Sequence, residues 1–218
     1  MKILCYGDSN TWGYVPNPNG DSQNAIVQRY PLEDCWWYPL TKKNEVVVKG
    51  LCGRCINHED QNIPNSNASL DIVKIIKHSG DLDLIIIQLG TNDCKAEYNC
   101  SAKEITKGMK DFIELIKTNS NVKILLLSPP KINDKTPIAT RHYLGGTLKS
   151  EQMDNLFQNL AEDLNIEFIS GLGAEIGEDG GHLTKKGHEN MSQKVTEKVE
   201  SMQKNISNKK DCDFSRSR

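Results

Sequence analysis

Apolar positions along this chain alternate between two periods. Lys2-Ile3-Leu4-Cys5-Tyr6 is short and apolar and reads as a buried strand. A polar loop with Pro16, Pro18 and Gly20 follows, and Trp36, Trp37 and Leu40 then suggest a helix packed on a sheet. Glu45-Val-Val-Val-Lys49 is β-branched and reads as a second strand. Leu70, Val73, Ile76 and Lys77 mark a helix that starts near Asn67 or Ser69. Leu82–Leu89 is nearly all apolar, as a parallel strand covered on both faces should be. Ser101-Ala-Lys-Glu104 reads as a capping box, opening a helix with Ile105, Met109, Phe112, Ile113 and Ile116 on one face. Val122–Leu127 is the fourth strand and stops at Ser128-Pro129-Pro130. From Lys131 to about Ser150 no period emerges, so this stretch is expected to be a long loop of functional kind. Leu156, Leu160 and Leu164 predict another helix, and Ile166–Ile169 a short fifth strand. Thr184 is placed to cap a last helix whose apolar face is Met191, Val195, Val199 and Met202.

Five strands alternating with helices specify a doubly wound α/β domain with right-handed crossovers. The expected organisation is a single domain over residues 1–203, followed by a flexible polar tail over 204–218. In such a sheet the ligand crevice lies at the carboxyl ends of the strands.

Composition narrows the partners. At 218 residues the chain can bury a substantial core. Its formal net charge of −2, without a basic patch, argues against nucleic acid or an anionic membrane as partner. The longest apolar runs, Leu84–Ile87 and Ile124–Leu127, fall far short of the ~20 residues needed to span a bilayer. No secretory signal is read at the N-terminus, so a cytoplasmic location is expected. The cysteines number seven, an odd count that favours reduced thiols over a disulfide framework.

Three stretches fall where the sheet presents its carboxyl ends: Gly7-Asp8-Ser9, Gly90-Thr91-Asn92-Asp93 and Asp179-Gly180-Gly181-His182. Each alone is more often an ordinary turn. Together they hold the parts of an acyl-transfer site. A serine hydroxyl needs a base to become a nucleophile, and His182 can serve Ser9. Asp179, three residues before it on a glycine-bearing loop, can orient the imidazole. A developing oxyanion needs preorganised donors. The Ser9 N–H, the Gly53 N–H and the Asn92 side-chain amide are the candidates. Trp12, Tyr14, Trp36 and Tyr143 are candidates for the walls of a substrate pocket, although aromatics are more often core.

These residues resemble the SGNH hydrolases, the GDSL-type esterases and lipases. Ser9, Gly53, Asn92, and Asp179 with His182 match the four blocks of that family, from the first strand to the last helix. Trp12-Gly13, Arg54 and the Trp36-Trp37 region are most similar to the arylesterase and acyltransferase branch. Two positions depart: Asn10 stands where Leu is usual, and Cys52 where a small residue is common. The resemblance implies a flavodoxin-like three-layer α/β/α sandwich with a five-stranded parallel sheet. It also implies cofactor-free and metal-free hydrolysis of a small-molecule ester through an acyl-serine, and homo-oligomers. A restricted pocket would favour short acyl groups such as acetyl, with transfer to alcohols as a related activity.

Other readings compete. Cys52-Gly53-Arg54-Cys55 has the spacing of a thiol–disulfide oxidoreductase, but the motif should open a helix and Ile56–Pro64 has no helical period. Cys52, Cys55, Cys94, Cys100 and His58 suggest zinc, with the second cysteine pair wrongly spaced for a ribbon. A non-catalytic binding domain on the same fold is the third alternative.

Overall fold

The structure, a computed structural model, describes residues 1–20, 26–60 and 63–216, with side-chain surroundings as far as residue 205. Its centre is a five-stranded sheet, all parallel, in the order β2-β1-β3-β4-β5. The strands are β1 (Lys2–Gly7), β2 (Glu45–Gly50), β3 (Leu84–Gln88), β4 (Lys123–Leu127) and β5 (Glu167–Ile169). The helices are α1 (Ser9–Trp12), α2 (Ala68–Ser79), α3 (Ala102–Asn119), α4 (Pro137–His142), α5 (Gly146–Asp163) and α6 (Lys185–Arg216). From β1 the chain steps to one side for β2 and returns to the other for β3. That reversal is the topological switch point.

Alternating side chains of the strands divide the core. Leu4, Tyr6, Ile85, Ile87, Ile124 and Leu126 face α2, α3 and α5. Ile3, Cys5, Leu84, Ile86, Leu125 and Leu127 face α6 and the Cys35–Leu40 segment. Both faces of β3 are therefore dry, which is why its five residues are all apolar or fully enclosed. Helices start where their caps put them. Asn67 accepts from Ser69 N, Ser101 and Glu104 close the capping box, and Thr184 Oγ1 accepts from Gly187 N at 3.0 Å.

Two expectations change. The Trp36–Leu40 stretch packs on the sheet as predicted, but not as an α-helix. Two 3₁₀ turns, Leu32–Asp34 and Tyr38–Lys42, flank Trp36 and Trp37, and only the second takes in Leu40. Pro31 and Pro39 lack the N–H a longer helix would need there, and short 3₁₀ turns tolerate that. Residues 131–150 are not a structureless loop, because α4 lies within them and α5 begins at Gly146. The first turns of α5 show no apolar period because their buried face includes Ser150 and Asp154. Ser150 Oγ accepts from Ile132 N at 3.0 Å, and Asp154 accepts from the hydroxyls of Ser128 and Ser170. The last helix, α6, runs through the polar C-terminal segment as far as Arg216. The last two residues of that segment lie outside the described residues.

Among the described residues, no helix is long and apolar enough to cross a membrane. The thiols of Cys5, Cys35, Cys52, Cys55, Cys94 and Cys100 are free.

Phe112 joins the layers: it is 1% exposed, and its ring stacks on Tyr6 with centroids 6.0 Å apart. Phe112→Ala is expected to cost about 3–5 kcal/mol through lost burial and a cavity. Urea unfolding should show a lower midpoint with an unchanged slope.

Candidate active site

The site sits at the switch point, where β1 and β3 end side by side. After β1 the chain turns at once into α1. Asp8 caps this turn, its Oδ1 accepting from Asn10 N at 2.9 Å. The turn lies hard against β2: a Cβ on Gly50 would come within 2.3 Å of Trp12 N, so only glycine permits the approach. Ser9 is thus fixed at the start of a buried turn, and it is 3% exposed.

The loop before α6 brings the candidate base, His182. His182 Nε2 lies 2.8 Å from Ser9 Oγ, and His182 Nδ1 lies 2.8 Å from Asp179 Oδ2. Asp179 Oδ1 accepts from the N–H groups of Gly181 and His182, each at 3.1 Å. Asp179 Oδ2 accepts a further bond from Asn17 N at 3.0 Å. Burial pushes the Asp179 carboxyl up, but the hydrogen bonds and charge of His182, with the backbone N–H groups, outweigh it and leave it below its ordinary 3.8. Tyr14 stacks on the His182 ring with centroids 4.2 Å apart. The other nearby histidine serves the core instead. His188 is fully buried, accepts from Trp36 N at 3.3 Å and is held down to about 4 by burial.

Three groups are the candidate oxyanion donors: the N–H of Ser9, the N–H of Gly53 and the side-chain amide of Asn92. Among the described residues, neither the Ser9 N–H nor the Gly53 N–H is taken by a protein acceptor. Gly53 has φ +80°, and a Cβ there would strike Ile63 Cδ1 at 2.2 Å. Asn92 is held at both ends. Its Nδ2 donates to Arg54 O at 3.0 Å, and its Oδ1 accepts from the Tyr143 hydroxyl at 3.3 Å. With one amide hydrogen on Arg54 O, the other is available to a ligand.

Arg54 builds the loop that carries Gly53. Its guanidinium is buried, donates to Gly7 O at 2.9 Å and to Lys49 O, pairs with Asp71 at 3.3 Å, and lies 4.2 Å over the Tyr6 ring. Asp93 pins the same loop from the β3 side, accepting from Ile56 N at 2.9 Å. Sequence reasoning saw Arg54 only through resemblance and did not single out Asp93. The available signal was a charged side chain in the loop that follows a strand, four residues past β2 for Arg54 and five past β3 for Asp93.

The four aromatic candidates separate. Tyr14 and Tyr143 reach the site, through His182 and Asn92. Trp12 is one turn beyond Ser9 and carries Arg29 over its ring at 5.1 Å. Trp36 is not brought to the site: it is fully buried in the core beneath the sheet with Ile3 and Met191. Size and apolarity alone do not tell a pocket wall from a core residue.

The Cys52–Cys55 segment opens no helix. Burial pushes Cys52 up to about 11 and Cys55 higher still. A redox pair needs a depressed thiol, so the oxidoreductase alternative loses its chemistry. His58 Nε2 and Cys100 Sγ meet at 3.5 Å. Among the described residues, no group of three or more His, Cys, Asp or Glu side chains is arranged to hold a metal.

The fold and site define an α/β/α hydrolase with a hydrogen-bonded serine, histidine and aspartate. The chain belongs to the GDSL-like Lipase/Acylhydrolase family, whose model matches residues 5–189. It is similar to Est24, a carbohydrate acetylesterase from Sinorhizobium meliloti, at 28% identity and a TM-score of 0.83, over 93% of this chain and 99% of that one. It is also similar to the native aryl esterase of M. smegmatis, at 29% identity and a TM-score of 0.83, over 92% of this chain and 99% of that one. No curated protein sequence matches it. These relationships make the protein a carboxylic ester hydrolase with the SGNH fold.

The site also holds an acid whose charged form the fold disfavours. Burial raises Asp93 from its ordinary 3.8 to about 7, against the opposing pull of the Ile56 N–H. The native state then holds a proton that the unfolded chain has lost. Asp93 therefore contributes stability in full below about pH 4 and loses it as the pH rises through about 7. Asp93→Asn keeps an acceptor for Ile56 N and removes the titration. Urea midpoints of the variant are expected to decline less than those of the wild type between about pH 4 and pH 7.

Proposed function

We propose that this ester hydrolase is a serine esterase for short-chain, acetyl-type esters, working through an acyl-serine and able to pass the acyl group to alcohols. The observation that carries the reading is the chain Ser9 Oγ–His182 Nε2, His182 Nδ1–Asp179 Oδ2, with both links at 2.8 Å.

Ser9 Oγ attacks the ester carbonyl while His182 Nε2 takes its proton. The carbonyl oxygen becomes an oxyanion facing the N–H groups of Ser9 and Gly53 and the free amide hydrogen of Asn92. Asp179 stays ionised throughout, as its lowered pKa favours, and stabilises the imidazolium. When the tetrahedral intermediate collapses, the C–O bond to the leaving alcohol breaks and His182 returns the proton to that oxygen. Water, or a second alcohol, then attacks the acyl-serine with His182 again as base, and Ser9 is released.

Short acyl groups suit the surroundings of this carbonyl. Ile63 lies against Gly53, and Tyr143 spans from Asn92 towards Gly181, where a Cβ would sit 4.0 Å from its ring. The similarity to a carbohydrate acetylesterase and to an aryl esterase supports the same substrate class.

Ser9→Ala should lower 4-nitrophenyl acetate hydrolysis by about 10³-fold or more; an undiminished rate overturns the assignment. Across a series of nitrophenyl esters, kcat/KM should be highest for acetyl and fall as the acyl chain lengthens. Equal rates on octanoyl would remove the short-chain part. Vinyl acetate with a simple alcohol should yield the transesterified product, and acetate alone would remove the transfer part.

A further inference from the structure

Asn10, the residue that departs from the usual Leu, spans the gap between the serine turn and the histidine loop. It is 1% exposed. Its Nδ2 donates to Gly181 O at 3.2 Å, and its Oδ1 accepts from Leu183 N at 2.8 Å. Those two backbone groups stand on either side of His182. The Asn10 amide therefore pairs with the backbone around His182 much as a neighbouring strand would.

The loop needs such a restraint. It contains Gly180, at φ +80°, and Gly181, so its backbone has unusual freedom. The bonds from Asp179 to Gly181 N and His182 N are local to the loop and do not set its distance from Ser9. Asn133 N donates to Gly180 O at 2.9 Å, which ties the loop to the α4 side and not to β1. Asn17 N reaches the Asp179 side chain from the α1 side. Asn10 is the tie that grips the backbone on both sides of His182, one residue from the nucleophile. A Leu of similar size could make neither bond.

We propose that Asn10 is a positioning residue, whose amide holds His182 at proton-transfer distance from Ser9. This rests on the serine-esterase reading. Asn10 touches no reacting atom; it acts through the loop it grips.

Two variants test it, each assayed on 4-nitrophenyl acetate and by the rate at which an organophosphate labels Ser9. Asn10→Leu should lower kcat about 10- to 100-fold, the scale of a misplaced catalytic group, with KM nearly unchanged and labelling slowed in parallel. Asn10→Asp should behave differently with pH. Its protonated carboxyl offers one donor and one acceptor, as the amide does, whereas its carboxylate would face Gly181 O with no hydrogen. The ratio of variant to wild-type kcat should therefore rise as the pH falls. Wild-type kcat and labelling in Asn10→Leu, or a raised KM with unchanged kcat, overturns the proposal. So does an Asn10→Asp ratio that is flat with pH, and this profile decides alone if Asn10→Leu does not fold. A Ser9→Ala control separates the two levels. Activity in that control sinks the esterase reading, whereas an inactive control beside a fully active Asn10→Leu sinks only the role of Asn10.

Discussion

The bond between Ser9 and His182 joins groups 173 residues apart in the chain. Hydrogen bonds of this kind weaken steeply with distance and angle, so both partners must be held to within a fraction of an ångström. Neither partner can secure this locally. Ser9 belongs to the first turn after the first strand, and His182 to the loop before the last helix. The parallel sheet brings them together because every right-handed crossover returns the chain to the same edge. Close to Ser9 the sheet can be approached tightly, because Gly50 leaves the end of β2 open to α1.

The loops around this bond are fastened by buried polar contacts as much as by apolar packing. Arg54 gathers the carbonyls of Gly7 and Lys49 and the carboxylate of Asp71, tying the Gly53 loop to two strands and a helix. Asp93 ties that loop to the end of β3, and Asp8 caps the Ser9 turn. These acids carry a cost: burial raises Asp8 to about 6 and Asp93 to about 7. Asp179 is treated differently. Its hydrogen-bond partners more than offset its desolvation, so of the three it alone is held below its ordinary pKa. Differences of environment thus assign different roles to chemically identical side chains.

Much of this was legible along the chain. The strands β1, β3 and β4 stood out because both their faces are buried, which forces long apolar runs. The caps at Asn67, Ser101 and Thr184 were readable because a cap is a local interaction, made within three residues. Ser9, Gly53, Asn92, Asp179 and His182 could be picked out because each follows or precedes a recognisable element. What escaped was set by contacts distant in sequence. The start of α5 looked aperiodic because Ser150 and Asp154 are buried for their partners at Ile132, Ser128 and Ser170. Trp36 passed for a pocket residue because burial in the core and lining of a cleft draw on the same side-chain chemistry.

The sequence by itself determined the layers, the alternation of strands and helices, and a list of candidate groups for an ester-cleaving site. Periodicity and capping are short-range properties, and they survive in a one-dimensional reading. The tertiary structure decided which of those groups face one another. Asn10 shows the division most plainly. In the chain it is a polar residue in an unexpected place beside a serine, and in the fold its amide meets the backbone on both sides of His182. That meeting depends on the packing of the whole sheet, and no window of sequence contains both sides of it.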